Sequence, residues 1–347
     1  LATDGTCTAK ITNNLSNRRI NINGAMTINQ RSHSGAAGNN AYTLDRWKYQ
    51  RSANAEFDVV QSTEQAPGFP NCLRLDCTVG NGTVGAGDYV KLRYHLEGFD
   101  VQDFAKGTAS AKKFALSFYV KTSTTGVYSV SLLDDNSRMV TGTYTVSDTN
   151  WNRYSIIFPA DTSGACANDN NAELSIEFNI IAGSNRTSGT DLRSAWGSYA
   201  TASEAVGHTA NPGSSASNNV YITGVQLEVG DVVTSFEYRS YGDELTRCER
   251  YFQKIDYQVG SGSSGNRVYY YSNIPFRTNM RYDPSLYASS AYESDSGNFV
   301  TYTDGDYTTQ TNGCTLDSSS RSQVTVHGGS SSTYHWIKGR VHLSAEL

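Results

Sequence analysis

The chain has 347 residues, enough for two ordinary domains with hydrophobic cores, and its formal net charge of −5 disfavours binding to a nucleic-acid backbone. Charged residues make up only 18%, whereas tyrosine (23 residues) and glycine (31 residues) are abundant. Because aromatic residues favour strands and glycine supplies turns, this composition predicts an all-β protein. No apolar run approaches the roughly 20 residues that a membrane helix requires, so we expect no membrane insertion.

The first part of the chain, residues 1–40, is polar and rich in asparagine. It predicts an extended N-terminal lead-in segment, for which a neighbouring subunit is one docking surface.

From residue 41 onward, apolar and polar residues alternate with a period of two, which is typical of antiparallel strands with one buried and one solvated face. The runs are 56–61, 72–77, 90–96, 114–120, 128–132, 154–158, 174–180 and 225–229. Two sheets made of such strands predict a jelly-roll-like antiparallel β-sandwich over 41–240. The segment 181–219 is rich in glycine, serine, alanine and asparagine, and it predicts a long loop between the last two strands.

An apolar stripe at helical spacing predicts a short connecting helix over 241–256, which would act as a hinge or as a trimer contact. Its members are Tyr241, Leu245, Cys248 and Phe252. The remaining residues, 257–347, predict a small C-terminal β domain, a second and smaller β-sandwich. Its candidate strands are 267–276, 280–288, 298–303, 321–327 and 333–343.

Motifs for catalysis or metal binding are weak. None of the six histidines belongs to an HxH, HxxxH or HExxH motif, and none of the six cysteines to a CxxC motif. We therefore expect no catalytic residue, no metal ligand set and no cofactor, with the cysteines as small buried apolar residues. The acids Asp134, Asp135, Asp169, Asp304 and Asp306 lie in turn-like sequence. Two alternatives stay open for such acids, a structural Ca²⁺ ion and the acid pair of a polysaccharide depolymerase.

Aromatic residues are the remaining functional signal, because a flat ring packs against the apolar face of a sugar. The candidate carbohydrate-binding residues are Trp196 and Tyr199 in the long loop, and Tyr269, Tyr270 and Tyr271 in the second domain.

Several segments together resemble a module of the tail-fibre proteins of marine phages, including cyanophages. At its start these are NINGAMTINQR (21–31) and YTLDRW (42–47), and at its end ITGVQLEVG (222–230), FEYRSYGDEL (236–245) and CERYF (248–252). The segment SFYVK (117–121) and Trp151 resemble the middle of the module. The residues Met280, Arg281, Pro284 and 345–347 resemble the family's C-terminal domain.

The resemblance implies a non-enzymatic virion structural protein that is made in the host cytoplasm and located in the phage tail. It implies a jelly-roll module similar to carbohydrate-binding modules, and recognition of a host-surface glycan. Its implied partners are further copies of itself in a homotrimer and other virion tail proteins. Two alternatives remain, a filament-forming or capsid-decorating subunit joined through residues 1–20, and a polysaccharide depolymerase.

Overall fold

The computed structural model describes the backbone of residues 17–262, 268–286, 298–303, 306–313, 315–319, 323–330 and 334–347. It describes the side chains of residues 17–255, 275–284, 323 and 343–347. Cα packing divides the chain into two units, Leu1–Arg239 and Ser240–Leu347.

The first unit contains two antiparallel sheets. Its strands are β1 (Ser34–Ala36), β2 (Ala41–Tyr42), β3 (Trp47–Ser52), β4 (Glu56–Ser62), β5 (Cys72–Val79), β6 (Tyr89–Glu97), β7 (Phe114–Thr122), β8 (Gly126–Asp134), β9 (Arg138–Val146), β10 (Asn152–Phe158), β11 (Ala172–Ala182), β12 (Gly197–Ser198) and β13 (Asn219–Val229). The six-stranded sheet has the order β1-β4-β5-β13-β7-β10, and the seven-stranded sheet has the order β12-β9-β8-β11-β6-β3-β2.

The inner faces of the two sheets pack against each other. Phe118 of the six-stranded sheet meets Phe178 of the seven-stranded sheet edge to face, with ring centroids 4.9 Å apart. Trp47 of β3 lies 6.1 Å from the same Phe178 ring. These aromatic residues belong to one core of buried apolar side chains that draws on both sheets. The predicted all-β fold, an antiparallel β-sandwich, is therefore confirmed.

Residues 20–24 form hydrogen bonds with β13 of their own unit. The side-chain amide of Asn21 forms two hydrogen bonds with the backbone of β13, in place of the backbone hydrogen bonds of a neighbouring strand. Its Nδ2 donates to the Val225 carbonyl at 2.9 Å, and its Oδ1 accepts from Leu227 N–H at 2.8 Å. Glu237 accepts hydrogen bonds from the backbone N–H groups of Asn17 and Arg19 at 2.9 and 3.0 Å. The predicted lead-in segment is thus part of the sandwich from residue 17 onward, and residues 1–16 lie outside the described residues.

Helices are short. The described residues form the α-helices α1 (Gly98–Val101), α2 (Ser184–Thr187) and α3 (Tyr241–Glu249), together with 3₁₀ helices at Gln102–Phe104, Thr201–Ser203 and Pro212–Ser214. Ser240 caps the N-terminus of α3, because its hydroxyl oxygen accepts a hydrogen bond from Asp243 N–H. It ends at Glu249 rather than near 256, because the chain from Phe252 onward pairs with the C-terminal strand. None of the helices that the structure describes has the length and apolar character to cross a membrane.

The described part of the second unit contains antiparallel strands in addition to α3. They are β14 (Phe252–Gly262), β15 (Val268–Pro275), β16 (Ser285–Leu286), β17 (Asn298–Thr303), β18 (Asp306–Gly313), β19 (Thr315–Ser319), β20 (Gln323–Ser330) and β21 (Tyr334–Ser344). One sheet has the order β14-β21-β17-β18 with β16 paired to β21, and the other has the order β15-β20-β19. Of the strand predicted at 280–288, the described residues 280–286 form only the two-residue β16, and residues 287–288 lie outside the described residues.

Candidate functional site

The long loop between β11 and β13 lies over the outer face of the seven-stranded sheet. Ser131 of β8 donates its hydroxyl hydrogen to the Glu204 carbonyl, and Asn179 of β11 donates to the same carbonyl at 3.3 Å. His208 places Nδ1 3.4 Å from the Ser129 hydroxyl. All five of these residues are buried. This loop therefore covers the β8 and β11 part of that face.

A chain of buried charges lies beside the loop. Lys91 contacts both Glu177, at 2.9 Å, and Glu204, at 3.6 Å. Arg93 also pairs with Glu177, whose side chain is fully buried. Burial disfavours the charged form of Glu177, but Lys91 and Arg93 outweigh this and hold the pKa of the carboxyl below its usual value. Glu177 therefore lacks the raised pKa that a glycosidase uses for its general acid.

Tyr199, one of the predicted carbohydrate-binding residues, lies at the edge of this charge chain. Its ring is 40% exposed, and its hydroxyl donates to Glu204 Oε1 at 2.6 Å. Burial and this hydrogen bond raise the pKa of Tyr199. On the other side of Glu204, Arg186 forms an ion pair with it and places its guanidinium carbon 3.9 Å from the centre of the Tyr89 ring. Tyr199 is thus a fixed, partly exposed ring.

Trp196, which was also predicted to bind carbohydrate, is instead only 7% exposed. Its indole N–H donates to the Pro159 carbonyl at 2.9 Å, and its ring lies 5.6 Å from that of Phe114. The Lys106 ammonium group lies 4.6 Å from the centre of the indole ring. With its ring enclosed by these contacts, Trp196 anchors the loop to the sandwich.

The Lys106 ammonium group belongs to a buried ion cluster. It pairs with Asp134 and, at 2.9 Å, with Asp161. Arg138 donates two hydrogen bonds of 2.8 Å to the Asp161 carboxylate. Burial opposes the charge of Asp161, but the hydrogen bonds from Arg138 and Lys106 lower its pKa to about 2. Asp134, considered above as one of an acid pair, is thus engaged in a structural ion pair.

The tyrosines predicted in the second domain, Tyr269, Tyr270 and Tyr271, lie on β15 opposite Gly329, Gly328 and His327 of β20. Their side chains lie outside the described residues, so their carbohydrate-binding role stays a prediction.

The outer face of the six-stranded sheet carries a set of aromatic rings that the sequence analysis did not select. Trp151, Tyr221 and Tyr119, which we call the aromatic surface, are all partly exposed. The Trp151 and Tyr221 ring centroids lie 6.1 Å apart. Tyr221 of β13 pairs with Lys121 of β7, which places it diagonally across from Tyr119. Diagonal neighbours on one sheet face lie within reach of aromatic side chains, so the three rings share one surface.

Further aromatic residues continue this surface at the Tyr119 end. The Phe69 ring lies 5.3 Å from that of Tyr119 and 5.5 Å from that of Tyr238. Tyr238 is 59% exposed, and its hydroxyl donates to the Gly68 carbonyl at 2.9 Å. Gly224 has a φ of +61°, and a Cβ there would lie 2.7 Å from the Phe69 ring. The glycine therefore lets Phe69 pack against the sheet.

Charged groups border the aromatic surface. Lys121 lies 5.6 Å from the Tyr221 ring centre and pairs with Glu64 at 2.6 Å. Arg153, which pairs with Tyr119 across β7 and β10, is exposed and donates to the Ser117 hydroxyl at 3.1 Å. The surface thus combines flat rings with hydrogen-bonding groups.

Among the side chains that the structure describes, no group of three His, Cys, Asp or Glu residues lies close enough together to hold a metal ion. Within that same part of the chain, Cys72, Cys77, Cys166 and Cys248 are free thiols. Burial raises the pKa of the Cys72 thiol to about 11 and that of Cys166 to about 12. These two thiols are therefore protonated at neutral pH.

No protein-family model matches the chain, and no curated protein matches it in sequence. Among solved structures, it is similar to a family 11 carbohydrate-binding module from Clostridium thermocellum in complex with a β-1,3-1,4-mixed-linked tetrasaccharide. That similarity has 11% identity, 59% coverage of this chain, 98% coverage of that chain and a TM-score of 0.29. A xylan-binding family 22 module from Paenibacillus barcinonensis shares 13% identity, with 58% and 94% coverage and a TM-score of 0.26. The similarity is distant, and it says nothing about what this chain binds.

Proposed function

We propose that this chain binds a host-surface glycan through the aromatic surface, as a non-catalytic part of a phage tail fibre. The observation that carries the binding proposal is the position of Trp151, Tyr221 and Tyr119 on one sheet face, each partly exposed and bordered by charged side chains. A pyranose ring has an apolar face of C–H groups and a polar rim of hydroxyls. The rings would cover the apolar face and the neighbouring side chains would bind the rim.

The polar groups fit this role because they offer both donors and acceptors. Lys121 and Arg153 donate hydrogen bonds, and Glu64 accepts them. Since a sugar hydroxyl does both, such a mixture favours a polyhydroxylated ligand over a purely anionic or apolar one. The row of rings from Trp151 through Tyr119 towards Tyr238 favours an oligosaccharide over a single sugar unit.

The proposal of a tail-fibre location and of a homotrimer is supported by the resemblance of segments 21–31, 42–47, 222–230 and 236–245 to the tail-fibre module. A trimer predicts a mass in solution three times that of the chain, which multi-angle light scattering measures. A monodisperse monomer would contradict the proposed assembly. Deleting residues 1–20 tests the alternative of a filament subunit, because assembly that survives the deletion excludes it.

The binding proposal is tested by titrating the intact chain and its variants with oligosaccharides released from host polysaccharide. Trp151→Ala and Tyr221→Ala should each weaken binding about tenfold, since a ring contact worth about 1.4 kcal/mol corresponds to that factor. Tyr282→Ala is a matched control, because it removes a tyrosine that is 62% exposed in the second unit. If both variants bind like the parent chain, the aromatic surface is not the binding site. Release of reducing ends during the titration would instead support the depolymerase alternative.

A further inference from the structure

A separate pocket of about 390 Å³ lies at one end of the seven-stranded sheet. Its lining residues are Asn39, Arg51, Ser52, Ala53, Asn54 and Asp88. Ser52 pairs with Tyr89 where β3 and β6 meet at this end of the sheet. The aromatic surface lies on the other sheet of the sandwich, so the two surfaces are distinct.

Three of the pocket's polar residues, Arg51, Asn39 and Asp88, are held in place by hydrogen bonds to neighbouring groups. Arg51 donates from Nη1 to the Ala55 carbonyl at 3.3 Å and from Nη2 to Glu56 at 3.1 Å. Its backbone N–H donates to Asn39 Oδ1 at 3.0 Å. Asp88 Oδ2 accepts from Gly85 N–H at 2.9 Å. Groups that are fixed before binding lose less conformational entropy when a ligand arrives.

The same hydrogen bonds determine what each group still offers to a ligand. The carbonyl oxygen of Asn39 is occupied, which leaves its amide NH₂ as a donor, and Asp88 retains Oδ1 as an acceptor. The side chains of Ser52 and Asn54 are exposed and make no hydrogen bond to other described residues, so each offers a donor and an acceptor. The pocket therefore offers both hydrogen-bond donors and hydrogen-bond acceptors.

We propose that this pocket binds a single neutral sugar unit, as a second glycan subsite. The Arg51 guanidinium is already paired with Glu56, and Asp88 adds a further negative charge, which disfavours an anionic ligand. A single carboxylate is too few for a divalent cation. Ala53 is the one apolar lining residue, so an apolar ligand would lose more hydration than it gains. A hydroxyl-rich ligand can use both the donors and the acceptors, and the volume falls in the usual range for small-ligand sites.

This subsite rests on the proposed function, because it would serve a protein that also binds glycan at the aromatic surface. The two are separable, since a free monosaccharide occupies the pocket without needing a row of rings. The probes are D-glucose, D-galactose and D-mannose, each titrated into the isotopically labelled full chain and followed by NMR.

We expect at least one of the three hexoses to give saturable shifts. Asp88→Asn and Asn54→Ala should each weaken that binding about fivefold or more, because the first replaces a charged acceptor oxygen by a neutral amide and the second removes a hydrogen-bonding side chain. Asn168→Ala is the matched control. Asn168 is an exposed asparagine near the start of β11, which pairs with the far end of β6, and this variant should bind like the parent chain.

Three results would overturn the subsite: no saturable binding of any of the three hexoses, equal affinity in the parent chain and both pocket variants, or equal weakening by Asn168→Ala. Trp151→Ala separates the two proposals. If it keeps hexose binding but loses oligosaccharide binding, both sites stand. If oligosaccharide binding does not depend on Trp151 while hexose binding depends on Asp88, the pocket stands and the aromatic surface fails.

Discussion

The buried imidazole of His208 makes the stability of the first unit depend on pH. The ring is 7% exposed, with Nε2 3.0 Å from the Ala210 carbonyl and the Tyr128 ring 5.6 Å away in an edge-to-face arrangement. Burial lowers the pKa of His208 from 6.5 to about 4, although the carbonyls of Ala210 and Ile180 favour the protonated form. The folded chain therefore holds this ring neutral where the unfolded chain would protonate it.

The sign and size of the effect follow from these pKa values. His208 contributes its full stabilisation above pH 6.5, and the contribution is lost as the pH falls towards about 4. Below pH 6.5 the unfolded chain binds a proton at His208 that the folded chain does not, and each pH unit of this difference is worth about 1.4 kcal/mol. The free energy of unfolding should therefore fall by about 2 kcal/mol between about pH 7 and about pH 5. Burial of Tyr128 raises its pKa to about 12, so this neighbour does not titrate in the same range.

Hydrogen exchange of the amides of β8 and β11 measures this free energy within the first unit. The comparison is between the parent chain and His208→Gln, which keeps a side-chain donor for the Ala210 carbonyl but cannot be protonated. His33→Gln is the control, since burial lowers the pKa of His33 as well. This variant should lose the part of the pH dependence of unfolding that comes from His33 and keep the part that comes from His208. The same loss of protection with falling pH in His208→Gln as in the parent chain would refute the reasoning.

Three further substitutions test the structure. Trp196→Ala should cost about 3–5 kcal/mol in urea unfolding while leaving oligosaccharide affinity unchanged, because the ring is buried; weaker binding with unchanged stability would instead support the predicted binding role of Trp196. Gly224→Ala should destabilise the chain by more than about 1 kcal/mol in the same assay, because of its positive φ and the Phe69 contact; a neutral effect would contradict that packing. Glu237 accepts hydrogen bonds from the backbone N–H groups of Arg18 and Arg19, so Glu237→Gln should speed tryptic cleavage after these two residues. Glu64→Gln is the control, and cleavage no faster than in that variant would contradict the role of Glu237 in holding this segment.

Strands with strict alternation could be predicted from the sequence, whereas β3 and β9 were missed. In β9 the core-facing positions include Gly142, where a Cβ would lie 2.5 Å from the Ile156 side chain. Glycine interrupts the apolar periodicity, yet the close approach of Ile156 requires it. The short strand β3 carries only Trp47 and Tyr49 as its large buried residues, which is too few to show a period clearly.

The candidate site was harder to predict, because exposure depends on distant parts of the chain. Trp196 looks like an exposed loop residue, but its burial depends on Lys106 and Pro159, which are far away in sequence. Tyr119 occupies a solvent-facing position of the predicted strand 114–120, whereas Tyr221 lies before the predicted strand 225–229 and became part of a strand only in the structure. Their importance depends on which sheet face the long loop covers, and the contacts of Glu204 and His208 place that loop on the seven-stranded sheet.

Hydrogen-exchange footprinting of the intact chain with saturating host oligosaccharide tests glycan binding most directly. Ligand on the aromatic surface should slow exchange in 117–121, 151–155 and 219–223, which carry its rings and the charged residues between them. Trp151→Ala should abolish that protection. Protection confined to the long loop at 183–210, or no protection anywhere at saturating ligand, would contradict the account.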